Sequence, residues 1–207
     1  LVVLQRIRNE PDSVLLQPAE VVHETPLSAL MDGHGNLGYV VCRRAVDLAI
    51  DKCRGSGIAV VGAYNSYYSG RSGYYTERAA REGMIAIHAS SAFRMVAPVG
   101  GRQPILGSNP FTIAFPAPHS PVVIDMSTAA ITWGEIQMAV RTGDALPSGV
   151  AIDSAGKPTV DPTAALLGAA LPWGGHKGYA LGVAVQMLGL LAGGDAISGS
   201  GCTVKVA

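Results

Sequence analysis

The sequence predicts an α/β fold, a mixed sheet flanked by helices in one domain spanning residues 1–207. Three observations carry this. The runs Ile58–Ala63 and Met84–His88 are short and almost wholly apolar, as strands buried on both faces are. Between them, Tyr74–Glu82 reads as a helix closed by Gly83, so Ile58–His88 forms a strand–helix–strand unit. Hydrophobic residues make up 48% of the chain and charged residues 14%, which excludes a disordered chain and supplies a core.

The other elements follow in order. Ala19–Met31 reads as extended, and Asp32-Gly33-His34-Gly35-Asn36 as a turn. A helix is expected over Val40–Arg54, with Val41, Ala45, Leu48 and Ala49 on its apolar face and Gly55 and Gly57 ending it. Asn65–Gly73 is a loop after the first buried strand, and Ser90–Pro110 a long Gly/Pro-rich connection. Strands are expected at Phe111–Phe115 and Val122–Asp125, then a helix over Thr128–Arg141. Ala145–Pro162 is turn-rich and reads as surface. The last helix follows Gly178. Its apolar run, Tyr179–Ala192, is interrupted by Gln186 and falls short of the ~20 residues that span a bilayer. Gly199–Ala207 reads as a strand cut short, and the opening at Leu1 falls in mid-pattern, so a longer protein is expected.

Fifteen basic residues balance fifteen acidic ones, a pattern without the electrostatic footprint of nucleic-acid or anionic-membrane binding. The cysteines are Cys42, Cys53 and Cys202. On one helix Cys42 and Cys53 would lie about 16 Å apart, too far for a disulfide. No metal-ligand spacing occurs, no secretory signal opens the chain, and a reducing, cytoplasmic setting is expected.

Four segments could carry chemistry. Gly174-Gly175-His176-Lys177-Gly178 opens a helix, where paired glycines, an imidazole and an ammonium suit a phosphate or carboxylate; the plainer reading is two solvated side chains. Asp125-Met126-Ser127-Thr128 is either a helix N-cap or a carboxylate at the ligand-binding edge of a sheet. Gly107-Ser108-Asn109-Pro110 is a turn that could present Ser108 and Asn109 as donors. Asn65-Ser66-Tyr67-Tyr68-Ser69-Gly70-Arg71 leaves a strand end, and one of its two tyrosines is a candidate site residue. No G-x-G-x-x-G dinucleotide fingerprint, phosphate loop or nucleophile elbow is present.

These segments, with Glu24-Thr25-Pro26, Ala29–Gly33, Gly35–Gly38, Gly73-Tyr74-Tyr75, Glu77–Ala80 and Ala97–Gly101, resemble the type 2, non-Rossmann malate/L-lactate dehydrogenase family over about Ile7–Ala192. The resemblance implies an NAD- or NADP-dependent oxidoreductase that interconverts 2-hydroxy or imino acids with 2-oxo acids or cyclic imines, usually as a homodimer. It implies cofactor contacts at Ser66, Ser108, Asn109, Asp125, Met126, Ser127, His176 and Lys177. Substrate contacts are expected at Tyr67 and Arg71, the latter as a bidentate carboxylate clamp. Catalytic roles are expected for Asp125 and Tyr68. The family loop reads Asn-Ser-x-His, and Tyr68 stands at the histidine position. A phenol titrates ordinarily near about 10, so it serves better as an acid in reduction than as a base in oxidation. The family's N-terminal Ser-His-Gly segment is not among these 207 residues. A second expectation is therefore a scaffold that kept ligand binding and turned to non-redox chemistry or regulation.

Overall fold

The computed structural model describes residues 18–193. Cys202 and the strand expected at Gly199–Ala207 lie outside the described residues. Strands β1 (Glu20–Glu24) and β2 (Ser28–Leu37) pair antiparallel around a turn at Thr25, whose Oγ1 accepts the amides of Leu27 and Ser28 at 3.2 and 3.0 Å. Strand β3 (Val60–Tyr67) joins β2 in parallel, so this first sheet, ordered β1-β2-β3, is mixed. Strands β4 (Ala86–Ala89), β5 (Phe111–Phe115) and β6 (Val122–Met126) form an antiparallel sheet, and β7 (Ala151–Ile152) pairs with β8 (Ala169–Ala170). The helices are α1 (Gly38–Ser56), α2 (Gly73–Arg81), α3 (Trp133–Thr142), α4 (Pro162–Leu167) and α5 (His176–Leu191). Sheets flanked by helices are the α/β class read from the sequence.

Helix α1 buries two seams. Val41 and Ala45 pack on Ala29, Met31, Val61 and Ala63 of the first sheet, while Cys42, Val46 and Ile50 pack on Tyr75 and Ala79 of α2. A further core gathers Val96, Leu106, Ile131, Ile136 and Leu146 around α3. Cys42 and Cys53 both lie on α1 as free thiols, and burial pushes the Cys42 thiol up to about 12.

Several expectations are corrected. Strands β3 and β4 flank α2 in sequence but belong to different sheets, so Ile58–His88 is no crossover unit; within one sheet that unit is β2–α1–β3, whose strands pair in parallel. The run Met84–His88 is also not buried on both faces. Ile85 and Ile87 are 65% and 53% exposed while His88 is 1% exposed. The outward residues are themselves apolar, which hides the alternation of a half-exposed strand. Ile58 likewise lies outside β3 and is exposed.

Asp32–Asn36 is not a turn between elements but an irregularity inside β2, where the register against β3 shifts between Asp32 and Asn36. The Asp32 carboxylate accepts the His34 amide at 2.8 Å, so the turn chemistry is satisfied as a bulge. Strand β3 then resumes through Asn65-Ser66-Tyr67, and the loop begins only at Tyr68. Helix α3 starts at Trp133 rather than Thr128, because Thr132 and Glu135 cap each other reciprocally. Ala145–Pro162 is partly interior, with Leu146, Ala151 and Ile152 buried in β7 and its approach. Helix α5 begins at His176, ahead of Gly178.

Candidate active-site cavity

A cavity of about 470 Å³ opens where β3, β4 and β6 run out at their C-terminal ends. This is the sheet edge where α/β proteins place ligands. The end of β3 supplies Tyr67 and Tyr68, and the loop to α2 supplies Ser69–Ser72. Ser90 and Phe93 follow β4; Asp125, Met126 and Ser127 end β6. The start of α3 closes the cavity with Trp133 and Gln137.

Local geometry explains the shape of the tyrosine loop. Tyr68 takes φ 49°, a left-handed conformation that is sparsely populated for a bulky residue and turns the chain out of β3. Its ring meets Tyr39 edge-on at 5.9 Å. Burial, then the neighbouring Tyr68 phenol, raises the Tyr39 phenol above its ordinary range, which keeps Tyr39 protonated. The Tyr75 hydroxyl donates to the Ser69 carbonyl at 2.6 Å and fastens the loop to α2.

Asp125 is the fixed anion of the cavity. Its Oδ1 accepts the Thr112 hydroxyl at 2.7 Å and its Oδ2 accepts the Gly73 amide at 2.8 Å, at the start of α2 where a carboxylate is favoured. Arg71 is the nearby cation, 61% exposed, with Nε 3.9 Å from Asp125 and Nη2 3.5 Å from Glu77. Arg81 first, then Arg71, holds the Glu77 carboxyl below the usual carboxylate range. The Ser72 hydroxyl is buried without a hydrogen-bond partner among the described residues, although Ser72 lines the cavity. Such a group implies a partner supplied by solvent or a ligand.

Tyr67, Tyr68, Arg71, Ser108, Asp125, Met126 and Ser127 therefore line one cavity. Ser66, Asn109, His176 and Lys177 do not line it. Asn109 is 0% exposed, and its amide is committed to the Gly182 carbonyl, Gln186 and the Ala92 amide. It clamps α5 to the β4 exit rather than offering a free donor. His176 and Lys177 stand exposed at the start of α5, which is tied to the segment after β6. The two segments are joined by the Trp173 amide donating to the Thr128 carbonyl at 2.9 Å. A Cβ at Gly178 would sit 2.2 Å from the Trp173 carbonyl and 2.7 Å from that of Thr128, so this glycine serves helix packing. Asp125 and Ser127 do not cap the helix that follows them, whose N-cap is Thr132: Ser127 accepts the Ala129 amide at 3.0 Å and donates to the Ser108 carbonyl at 3.1 Å.

Sequence reasoning missed Ser72, Ser90, Phe93, Trp133 and Gln137. Ser90 follows a strand end directly, so the strand-end rule could have found it. Trp133 and Gln137 reach the cavity only through the placement of α3, which nothing local signals. Among the described residues there is no group of three or more His, Cys, Asp or Glu placed to hold a metal, and no helix is long and apolar enough to cross a membrane.

A family model described as malate/L-lactate dehydrogenase matches residues 3–204. The L-sulfolactate dehydrogenase of Methanothermobacter thermautotrophicus is 43% identical over 184 residues, 87% of this chain and 54% of that protein. The Delta(1)-pyrroline-2-carboxylate/Delta(1)-piperideine-2-carboxylate reductase of Pseudomonas putida is 40% identical over 160 residues, 76% of this chain and 47% of that protein. The crystal structure of malate dehydrogenase from Entamoeba histolytica superposes with a TM-score of 0.91 at 28% identity, covering 99% of this chain and 63% of that one. The chain thus spans about half the length of the curated relatives it matches.

Proposed function

The chain belongs to the malate/L-lactate dehydrogenase family, and we propose that it forms the cofactor- and substrate-binding part of an NAD- or NADP-dependent oxidoreductase. The reaction is reduction of a small 2-oxo acid or cyclic imine, the reverse being oxidation of a 2-hydroxy or imino acid. One observation carries the reading. Tyr68, Arg71 and Asp125 line a single cavity together with Ser108, Met126 and Ser127. That gives an acid, a cation for a carboxylate, a fixed anion and hydroxyl donors at one strand-end edge.

The cavity volume lies in the range that small-molecule and cofactor sites occupy. The cofactor would be held by Ser108, Met126, Ser127 and the unpartnered Ser72 hydroxyl, with Phe93 and Trp133 as an aromatic wall. When bound, the nicotinamide supplies the hydride. The protein's own part is positional and electrostatic. Arg71 faces the substrate carboxylate, and Asp125 orients Arg71. Tyr68 gives a proton to the oxygen or nitrogen on which charge develops.

Two names among the relatives, a sulfolactate dehydrogenase and a pyrroline/piperideine-2-carboxylate reductase, bracket this substrate class. A homodimer is part of the same reading. Its support is the outer face of the second sheet, where the exposed Ile87 and Ile124 flank Ile113 in register and Val122 is exposed beside Phe115. The residues are read as one domain working in a reducing, cytoplasmic setting, in keeping with the free thiols of α1.

The test is consumption of NADH and NADPH with a panel of 2-oxo acids and cyclic imines. Tyr68→Phe should cut reductive turnover by about 10²- to 10⁴-fold while cofactor binding stays unchanged. Full turnover of Tyr68→Phe would remove the acid role. Cofactor binding without turnover on any substrate of the class would favour the non-redox reading of the same cavity.

A further inference from the structure

Asp125 is held more completely than a cavity-lining carboxylate needs. Its two oxygens are taken by donors on two different elements. Thr112 on β5 lies directly across the ladder from Asp125, is 0% exposed and does not line the cavity. Its hydroxyl donates to Oδ1 at 2.7 Å. An ionised carboxylate only accepts, so the direction of this bond is fixed. Gly73, the first residue of α2, donates its amide to Oδ2 at 2.8 Å. A Cβ there would lie 2.7 Å from Oδ2 and 3.1 Å from the Arg71 Nη2, so the approach requires glycine. With only one of these anchors, the carboxylate would be free to turn about a broad, roughly two-fold torsion. With both, its plane is set before any ligand arrives. Arg71 Nε stands 3.9 Å from the same Oδ2, on the cavity side.

We propose that Thr112 is a positioning residue of the site. Its hydroxyl fixes the Asp125 carboxylate, and through it the Arg71 guanidinium, in the orientation that meets a carboxylate-bearing substrate. Thr112 touches no ligand itself. Nothing in the sequence marks it, since it lies mid-strand in an ordinary Phe-Thr-Ile-Ala-Phe run. The inference rests on the oxidoreductase reading for its consequence in turnover, but not for its geometry.

The experiment compares Thr112→Val with Thr112→Ser, each alone and in an Asp125→Asn background. A hydrogen bond to a charged group implies that Thr112→Val raises the substrate KM or lowers kcat/KM by about ten- to a hundredfold. Thr112→Ser should stay within about twofold of the parent, because it keeps the hydroxyl. In the Asp125→Asn background Thr112→Val should add little, since a residue that acts only through Asp125 is silent once that carboxylate is gone. A merely structural role predicts the reverse: both substitutions cost melting temperature, and the valine penalty persists in full beside Asp125→Asn. A crystal structure of Thr112→Val without ligand should show the Asp125 carboxylate turned from its bond to Gly73. An unmoved carboxylate, or unchanged kinetics, overturns the proposal. If the parent protein turns over no substrate, the functional reading fails instead, and the crystal structure still decides the positioning role.

Discussion

At the scale of single residues, the account turns on which side chains are spoken for by the protein and which are left for a ligand. Asn109 is spoken for. Its three polar contacts tie α5 to the exit of β4, so Asn109→Ala should cost about 2–4 kcal/mol of stability, read as a fall in melting temperature. Its effect on cofactor affinity should follow only from that loss. Ser72 is not spoken for, and Ser72→Ala should leave stability within about 1 kcal/mol while weakening ligand binding. A stability loss with unchanged binding would make Ser72 a packing residue. Seven of the eleven residues named from the sequence line the cavity. Tyr68 and Arg71 follow the end of β3 and Asp125 lies in the last rungs of β6's ladder, and the rule that ligands gather at strand ends needs no coordinates. Asn109 was expected as a hydrogen-bond donor to the cofactor because motif chemistry says what a side chain can do. It does not say which neighbour claims it first.

Among the elements, the helices were legible to within a turn where a cap or a glycine marks them, as at Gly57 for α1 and Gly83 after α2. The start of α3 was missed although Thr132-x-x-Glu135 spells a capping box, because the polar run beginning at Asp125 offered an earlier cap. Sheet membership was not legible. The apolar run of β4 is equally consistent with a strand buried on both faces and with one that carries isoleucine outward, and only its antiparallel pairing with β5 decides.

That pairing buries His88 between β5 and α2, with neither ring nitrogen hydrogen-bonded among the described residues. Burial pushes its imidazole down to about 4 from the ordinary 6.5, with Asp125 pulling weakly the other way. The unfolded chain takes up this proton near 6.5 and the folded chain only near 4. The neutral ring's contribution is therefore fully present above the higher value and is lost as pH falls through the window, by about 3 kcal/mol at most. Melting temperature should drop between these two pH values in the parent and drop less in His88→Leu. Parallel curves for the two proteins would show that another group titrates instead.

For the whole molecule, the second sheet presents two unlike faces. One carries His88, Thr112 and Asp125 toward α2. The other lines up Ile87, Ile113 and Ile124 across three strands, with Ile87 and Ile124 exposed and Ile113 half-buried. Such a face suits the subunit interface of the homodimer proposed above. Replacing Ile87 and Ile124 together by aspartate should convert a dimer to a monomer by light scattering, with far-ultraviolet circular dichroism retained. An unchanged mass would move the subunit contact elsewhere. The overall class and the family were legible from motif order, since segments spread over most of the chain agree in register. How the sheets divide and which faces stay bare were not, because both depend on pairings between residues far apart in sequence.

The most direct test of the central claim is titration of the protein with NADH and with NADPH, followed by nicotinamide fluorescence. The account predicts saturable binding of at least one of them. That binding should weaken on Ser72→Ala and be unaffected by Tyr68→Phe. Absence of saturable binding for both nucleotides, on folded protein, would contradict the assignment of this cavity to a nicotinamide cofactor.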